Sequence, residues 1–102
     1  MKKNEDKVFI RETQFDDYDA IEALKKQYHM QPMLRKSWCD LWQKNPYYDT
    51  KWPIGWVLES EVGKVVGSFA NIPMRYELDG CSWRVAVAST WVVEPHYRKK
   101  SL

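Results

Sequence analysis

With 102 residues, of which 44% are hydrophobic and 29% charged, the chain is large enough for one globular domain and too short for two. Its net charge of +2 is too small to predict nucleic-acid binding by itself, and no apolar run reaches the roughly 18 residues that a membrane-spanning helix needs. The charged start, MKKNEDK, lacks the apolar stretch of a secretory signal, so we expect a cytoplasmic protein with no membrane partner.

The first predicted elements are a strand and a helix. Residues 7–13 (KVFIRET) are rich in β-branched and aromatic side chains and predict a strand, whereas residues 15–29 have helical spacing. The apolar stripe of this helix consists of Tyr18, Ile21, Leu24 and Tyr28, with Ala20 and Ala23 beside it. Acidic residues in the first turn and basic residues in the last turn complement the helix dipole, which favours a solvated turn over a metal site. Thr13, Asp16 and Asp17 are all candidate N-caps.

A second helix is predicted over residues 32–44. Pro32 suits the first helical position, and Asn45-Pro46 ends the helix, because a residue that precedes proline avoids the α region. The predicted apolar stripe consists of Leu34, Trp38, Leu41 and Trp42. The segment 47–53 that follows is rich in Tyr and Trp, so we expect a packed loop and not a solvated linker.

From Gly55 onward the hydrophobic pattern has the period of β-strands. Trp56-Val57-Leu58 predicts a strand covered on both faces, and residues 60–64, which include Gly63, predict a tight turn. The next strand is expected to run to Leu78, with a bulge or bend at Pro73. One face of this strand is predicted to carry Val66, Ala70, Ile72, Met74, Tyr76 and Leu78.

Asp79-Gly80 is the strongest local signal, because this dipeptide supplies the positive φ angles of a type I′ hairpin turn. The returning strand is predicted over residues 81–93. One of its faces is expected to carry Trp83, Val85, Val87, Trp91 and Val93, and the other Ala86, Ala88, Thr90 and Val92. The small residues leave room for a ligand or for a packed helix. The predicted fold class is α+β, with two helices on an antiparallel sheet in the order β-α-α-β-β-β.

The end of the chain, Trp91-Val92-Val93-Glu94-Pro95-His96-Tyr97-Arg98-Lys99-Lys100-Ser101-Leu102, carries a specific pattern. Val93-x-Pro95-x-Tyr97-Arg98 followed by basic residues resembles the start of the coenzyme A signature of the GNAT superfamily of acyl-CoA N-acyltransferases. The resemblance covers roughly residues 8–102, because the order of elements also matches, but only the last dozen residues carry the motif.

The resemblance implies a single partial domain over residues 1–102, an incomplete GNAT-like fold that is truncated inside the coenzyme pyrophosphate loop. The co-substrate would be acetyl-CoA or another acyl-CoA, the acceptor an amine, and the isolated chain is expected to be inactive. In the family, backbone groups equivalent to Trp91, Val92 and Val93 contact the pantetheine arm and the thioester carbonyl. The first part of the phosphate loop would be Arg98, Lys99, Lys100, Ser101 and Leu102. A pyrophosphate needs convergent N–H donors and positive potential, which such a loop supplies.

Two positions depart from the family pattern. Ser101 replaces the first loop glycine, and Val87 stands where family members often carry an acidic residue. Glu94 and His96 are the nearby titratable residues, and both are expected to lie in a surface loop. The sequence therefore predicts no catalytic residue.

Other interpretations stay open. The last strand could be an exposed sheet edge through which a non-catalytic interaction module forms a homodimer or aggregates. Nucleic-acid binding is not expected, because the basic residues are not interleaved with the aromatic ones. Arg98-Lys99-Lys100 could also be a solvated basic end. The many Trp and Tyr residues fill the core or line a pocket or partner surface.

Cysteine and histidine are rare in the chain. Cys39 and Cys81 are expected to be reduced and buried. With only His29 and His96 in addition, no zinc-binding spacing occurs, so no metal is expected.

Overall fold

The computed structural model describes residues 7–97, so the predicted phosphate-loop residues Arg98, Lys99, Lys100, Ser101 and Leu102 lie outside the described part. The elements are β1 (Val8–Glu12), a 3₁₀ turn (Phe15–Asp17), α1 (Tyr18–Gln27), α2 (Arg35–Gln43), β2 (Gly55–Ser60), β3 (Val65–Leu78), β4 (Cys81–Val93) and a 3₁₀ turn (Pro95–Tyr97). All neighbouring strands are antiparallel, in the spatial order β1-β2-β3-β4. The predicted α+β class, with two helices and an antiparallel sheet, is confirmed.

The two helices pack on one face of the sheet. The main core joins Ile21, Leu24, Trp38 and Trp42 of the helices to Val57, Ala70 and Val92 of the sheet. Trp38 and Trp42 meet edge to face with ring centroids 5.3 Å apart, a favourable geometry for aromatic pairs.

A smaller core lies on the opposite face of the sheet, since it contains Leu58, the chain neighbour of Val57. It consists of Leu58, Val66 and Val93, with Val8 and Tyr97 packed against it. Both faces of β2 are therefore covered at Val57 and Leu58, as the apolar run predicts.

The first helix starts and ends differently from the prediction. A 3₁₀ turn at residues 15–17 precedes α1, and the carboxylate of Asp17 accepts a hydrogen bond of 2.7 Å from the backbone N–H of Gln14. Of the three candidate N-caps, Asp17 stands at the N-cap position of α1 but its side chain makes no capping hydrogen bond to that helix, whereas Thr13 is buried and Asp16 is exposed. The helix ends at Gln27, because His29 takes a left-handed φ of 61°.

The start of α2 contradicts the prediction at Pro32. The helix begins only at Arg35, and Leu34 is 76% exposed and not part of the buried stripe. The reason lies in tertiary contacts of Met33. Its N–H donates to the Glu22 carboxylate at 3.2 Å and its carbonyl accepts from the Tyr18 hydroxyl, which holds this segment against α1.

The end of α2 is tied to the sheet. The side-chain amide of Asn45 donates to the carbonyls of Leu41 (3.2 Å) and Pro73 (2.9 Å). Beyond the end of β2, the carbonyl of Asn71 accepts from the indole N–H groups of Trp42 (2.9 Å) and Trp52 (2.8 Å). Side chains of α2 and of the loop over residues 45–53 thus replace a neighbouring strand, and the loop is packed as predicted.

The pairing of β3 is regular at Pro73, so the bulge predicted as one possibility is absent there. Leu78 and Cys81 close the hairpin turn as a hydrogen-bonded pair, and such pairs alternate along an antiparallel ladder. This alternation places Pro73 opposite Ala86 in a pair that needs no N–H from either residue. The turn itself is confirmed, because Asp79 and Gly80 have φ angles of 52° and 80°.

The pairing of the strands is irregular at two places. One is between Leu58 and Glu59, which pair with Gly67 and Val65, so that Val66 packs in the smaller core and not on the predicted face with Ala70. The other is on β4, where an extra residue reverses the predicted faces of Trp91, Val92 and Val93.

The outer half of the β3–β4 hairpin projects from the body of the molecule, whose principal extents are 59 × 28 × 24 Å. Its exposed large apolar residues are Met74, Tyr76, Leu78, Trp83 and Val87. The aromatic residues of the chain are therefore divided, with Trp38 and Trp42 in the core and Trp83 and Trp91 on the surface.

The two cysteines are free, and neither is fully buried. Cys39 is half-buried, and Cys81 is exposed because it follows the hairpin turn directly. The prediction that both are buried is wrong.

Candidate functional site

A β-bulge interrupts β4 close to its end. Ser68 pairs with Val92 and Ala70 pairs with Ser89, so Thr90 and Trp91 both lie opposite the single residue Phe69. Thr90 has a left-handed φ of 53°, which is uncommon for a β-branched side chain. Residues held in such conformations concentrate at functional sites, and a bulge leaves an extra residue outside the regular ladder. The end of β4 is therefore the strongest candidate site within residues 7–97.

Because of the bulge, the predicted binding residues Trp91, Val92 and Val93 lie in three different environments. The Trp91 ring stacks on Phe69, with centroids 4.8 Å apart and an interplanar angle of 15°, and the side chain is 55% exposed. Val92 is buried in the main core under the helices, and Val93 is buried in the smaller core on the other face. A ligand at this place would meet the side chain of Trp91 but only the backbone of the two valines.

The chain leaves β4 through a short turn. The N–H of Glu94 donates to the Val66 carbonyl at 2.8 Å, and the N–H of Tyr97 donates to the Glu94 carbonyl at 2.9 Å. Pro95–Tyr97 form a single 3₁₀ turn, and Tyr97 packs against the smaller core. The segment therefore neither continues as a strand nor becomes an α-helix before Arg98.

The charged groups beside this turn are paired. The Glu94 carboxylate lies 3.1 Å from the ammonium of Lys64, and this contact raises the pKa of Lys64 above its ordinary value, chiefly through the side-chain hydrogen bond. Glu94 lies in the loop after β4, as predicted, but its side chain is mostly buried, whereas His96 is exposed. Because Glu94 is already paired with Lys64, the geometry gives no reason to assign it as a catalytic base.

An apolar depression lies beside the bulge on the face away from the helices. It is lined by Ile10, Trp56, Leu58, Phe69, Trp91 and Val93, and its volume is about 40 Å³. The phenyl and indole rings of Phe69 and Trp91 form one wall. The depression can accept an apolar group, but its lining carries no charged side chain.

On the helix side, polar groups lie beneath the bulge. Thr13, Lys25, Ser68 and Thr90 line a small cavity, and the buried hydroxyl of Thr13 has no hydrogen-bond partner within the described range. The ammonium of Lys25 is buried as well and pairs with Glu22 at 2.6 Å. This ion pair satisfies Lys25, so the cavity has no free charge that would hold a ligand.

A larger depression lies elsewhere, at the end of α1, with a volume of about 760 Å³. It is an open concavity, and its charged lining mixes acidic Asp19 and Glu22 with basic Lys26. This mixture of signs selects no class of ligand.

Sequence reasoning missed Thr90 and the bulge. No glycine marks the position, and the residue with an evident backbone restriction, Pro73, lies in a regular pair. Between residues 7 and 97 the structure contains no cluster of three or more His, Cys, Asp or Glu side chains that could hold a metal ion. It also contains no helix there that is long and apolar enough to cross a membrane.

Comparison of the chain with protein-family models, with curated proteins and with solved structures finds no match.

Proposed function

We propose that this chain is the N-terminal part of a GNAT-like acyl-CoA N-acyltransferase, in which the end of β4 forms one side of the coenzyme cleft. One observation carries the proposal. The motif Val93-x-Pro95-x-Tyr97-Arg98 directly follows a strand whose regular pairing is interrupted by the bulge at Thr90. A specific sequence pattern and an independent backbone irregularity thus occur at the same place.

The architecture supports the proposal at a coarser level. A strand, two helices and three further antiparallel strands follow one another, and both helices pack on the same face of the sheet. This order is the one that the resemblance implies for the first part of the domain.

The chemistry of the chain end also fits. Bound acyl-CoA would supply an acyl group that its thioester activates toward an amine acceptor. The bulge places backbone groups of Thr90 and Trp91 outside the regular ladder, where they can serve a ligand. Arg98, Lys99 and Lys100 supply positive charge for phosphate groups, followed by Ser101 and Leu102. A cytoplasmic location and a reaction without a metal ion belong to the same proposal.

Binding is the direct test, because no catalytic residue is assigned. Acetyl-CoA is titrated into the isotopically labelled chain, and backbone amide chemical shifts are followed by NMR. We expect the largest shift changes at Thr90 to Tyr97. The variant Arg98→Glu should weaken binding by about tenfold, because it replaces an attractive charge near the phosphates by a repulsive one.

A matched control has the same charge change elsewhere. Lys51→Glu alters an exposed residue in the loop after α2 and should leave the affinity unchanged. Equal weakening by both variants would show that only net charge matters. Shift changes that avoid residues 90–97 would refute the proposed cleft.

A further inference from the structure

We propose that the small cavity between the helices and the sheet binds one internal water molecule through the hydroxyl of Thr13. This is the cavity beneath the bulge that Thr13, Lys25, Ser68 and Thr90 line. The water site is independent of coenzyme binding, because its walls belong mostly to the main core. Three features determine the occupant, namely an unpaired buried hydroxyl, the size of the space beside it, and the polar groups around that space.

The hydroxyl of Thr13 needs a hydrogen-bond partner that the described residues do not supply. Thr13 follows β1 directly and is 4% exposed, and its backbone N–H donates to the carbonyl of Gly55 at 2.9 Å. Its hydroxyl oxygen is buried and has no hydrogen-bond partner among residues 7–97. A buried polar group without a partner costs free energy, and most such groups bond to protein or to ordered water.

The space beside this hydroxyl has the size of one water molecule. The volume of the cavity is about 10 Å³, which is just enough for a water and too little for a larger ligand. Gly55 helps to keep the space open, because a Cβ added there would lie 3.2 Å from the hydroxyl oxygen of Thr13. The apolar walls are buried side chains of the main core: Ile21, Trp38, Trp42, Ile54 and Ala70.

Two further polar groups line the same space. The side chain of Lys25 is 5% exposed, and its ammonium has three N–H donors, one of which bonds to Glu22. Ser68 on β3 is 6% exposed and contributes a hydroxyl that can donate or accept. With the hydroxyl of Thr13 these groups make three partners, the usual number for a buried water. Because Glu22 neutralises the charge of Lys25, the site suits a neutral ligand better than an ion.

Thr13→Val tests the site, because valine keeps the shape of threonine and removes the hydroxyl. Long-lived internal waters are counted in solution by magnetic relaxation dispersion of the water oxygen-17 nucleus. We expect Thr13→Val to hold one such water fewer than the parent chain. The control Thr50→Val makes the same change at an exposed position and should leave the count unchanged. Equal counts in the parent and in Thr13→Val, or the same loss in both variants, would overturn the proposal.

The sign of the stability change separates a hydrated cavity from a dry one. If the hydroxyl of Thr13 bonds to a water, Thr13→Val loses that hydrogen bond, and the equilibrium constant for unfolding should rise about threefold to tenfold. In a dry cavity, valine would instead remove an unpaired buried hydroxyl, and the constant would fall. Urea unfolding of the parent and the variant measures the change. A constant that falls or stays the same contradicts a bound water.

A measurement on the parent chain decides if Thr13→Val does not fold, which circular dichroism would show. In a high-resolution crystal structure of the parent, electron density for a water should lie within about 3.2 Å of the Oγ1 atom of Thr13. The same water should lie within hydrogen-bond distance of the ammonium of Lys25 or the hydroxyl of Ser68. A cavity without such density overturns the proposal.

Discussion

Three described residues other than glycine have a positive φ angle, and Thr90 is the β-branched one among them. His29 follows α1 and Asp79 is in a hairpin turn, two places where left-handed backbone is common. Thr90 has neither explanation. It lies inside a strand, where the conformation is imposed by the pairing of Ser68 and Ala70 on either side of the bulge.

A glycine substitution measures the strain of the left-handed backbone at Thr90. Thr90→Gly should raise the free energy of unfolding by about 1 kcal/mol, because glycine takes a left-handed φ without the steric cost of a side chain. Ser89→Gly, one residue earlier and in a regular pair, should lower it by about 0.5–1 kcal/mol. Urea unfolding measures both values. A loss of stability in Thr90→Gly as large as in Ser89→Gly would contradict the left-handed assignment.

Local signals predict the turns well but not the bulge. Asp79-Gly80 and Gly63 supply positive φ angles by their own chemistry, so both turns are evident in the sequence. The bulge at Thr90 has no such local cause, and it depends on how β3 and β4 pair over their whole length. Because one extra residue exchanges the two faces of a strand, missing it also misplaces Trp91, Val92 and Val93.

At the scale of elements, local signals predict the two helices, whereas contacts between distant residues decide where the second one begins. Apolar spacing correctly predicts two helices and the burial of Trp38 and Trp42, because that spacing decides which face meets the sheet. The start of α2 instead depends on the contacts of Met33 with Tyr18 and Glu22, on a different helix. Likewise the sequence predicts the motif at the candidate site but not the geometry of the site, because that geometry depends on pairing between residues that are distant in the chain.

One ion-pair cluster joins β1, the 3₁₀ turn before α1, and β2. The guanidinium of Arg11 on β1 forms two hydrogen bonds of 2.9 Å with Asp17 and one of 2.8 Å with Glu59 on β2. Hydrogen bonding to Arg11 lowers the pKa of Asp17 below its ordinary value, although partial burial opposes this. The start of α1 is thus fastened to the first two strands.

This cluster makes the stability of the chain dependent on pH. A carboxylate whose pKa is lower in the folded state stabilises the fold above its unfolded pKa of about 3.9, and the contribution is lost as the pH falls through the folded value. Asp17→Asn should therefore lower the free energy of unfolding by about 1–2 kcal/mol at neutral pH, with a smaller difference in acid. Unfolding curves across this pH range provide the measurement.

The adjacent Asp16 is the matched control. Its side chain is fully exposed and 3.9 Å from Arg35, so Asp16→Asn should change the stability little at any pH. A difference between parent and Asp17→Asn that does not shrink in acid would mean that the carboxylate charge is not what stabilises the fold.

The whole molecule combines a two-sided core with a thin projection. Beyond the helices, the outer half of the β3–β4 hairpin is a two-stranded ribbon, and such a ribbon is marginally stable by itself. Contacts with the loop over residues 45–53 hold its base. The guanidinium of Arg84 pairs with Asp49 and lies over the Trp52 ring, 4.8 Å from its centroid.

We therefore expect local opening of the ribbon to be cheaper than global unfolding and to depend on Arg84. Arg84→Met keeps most of the aliphatic stem but removes the charge. It should accelerate amide hydrogen exchange over residues 74–87 by about threefold to tenfold while leaving Val57 and Val66 in the core unchanged. The control is Arg75→Met, because Arg75 lies directly opposite Arg84 but contacts only Ser82 and Glu77 of the ribbon itself. If both variants accelerate exchange equally, the loop contact does not hold the ribbon, and its order must come from the two strands alone.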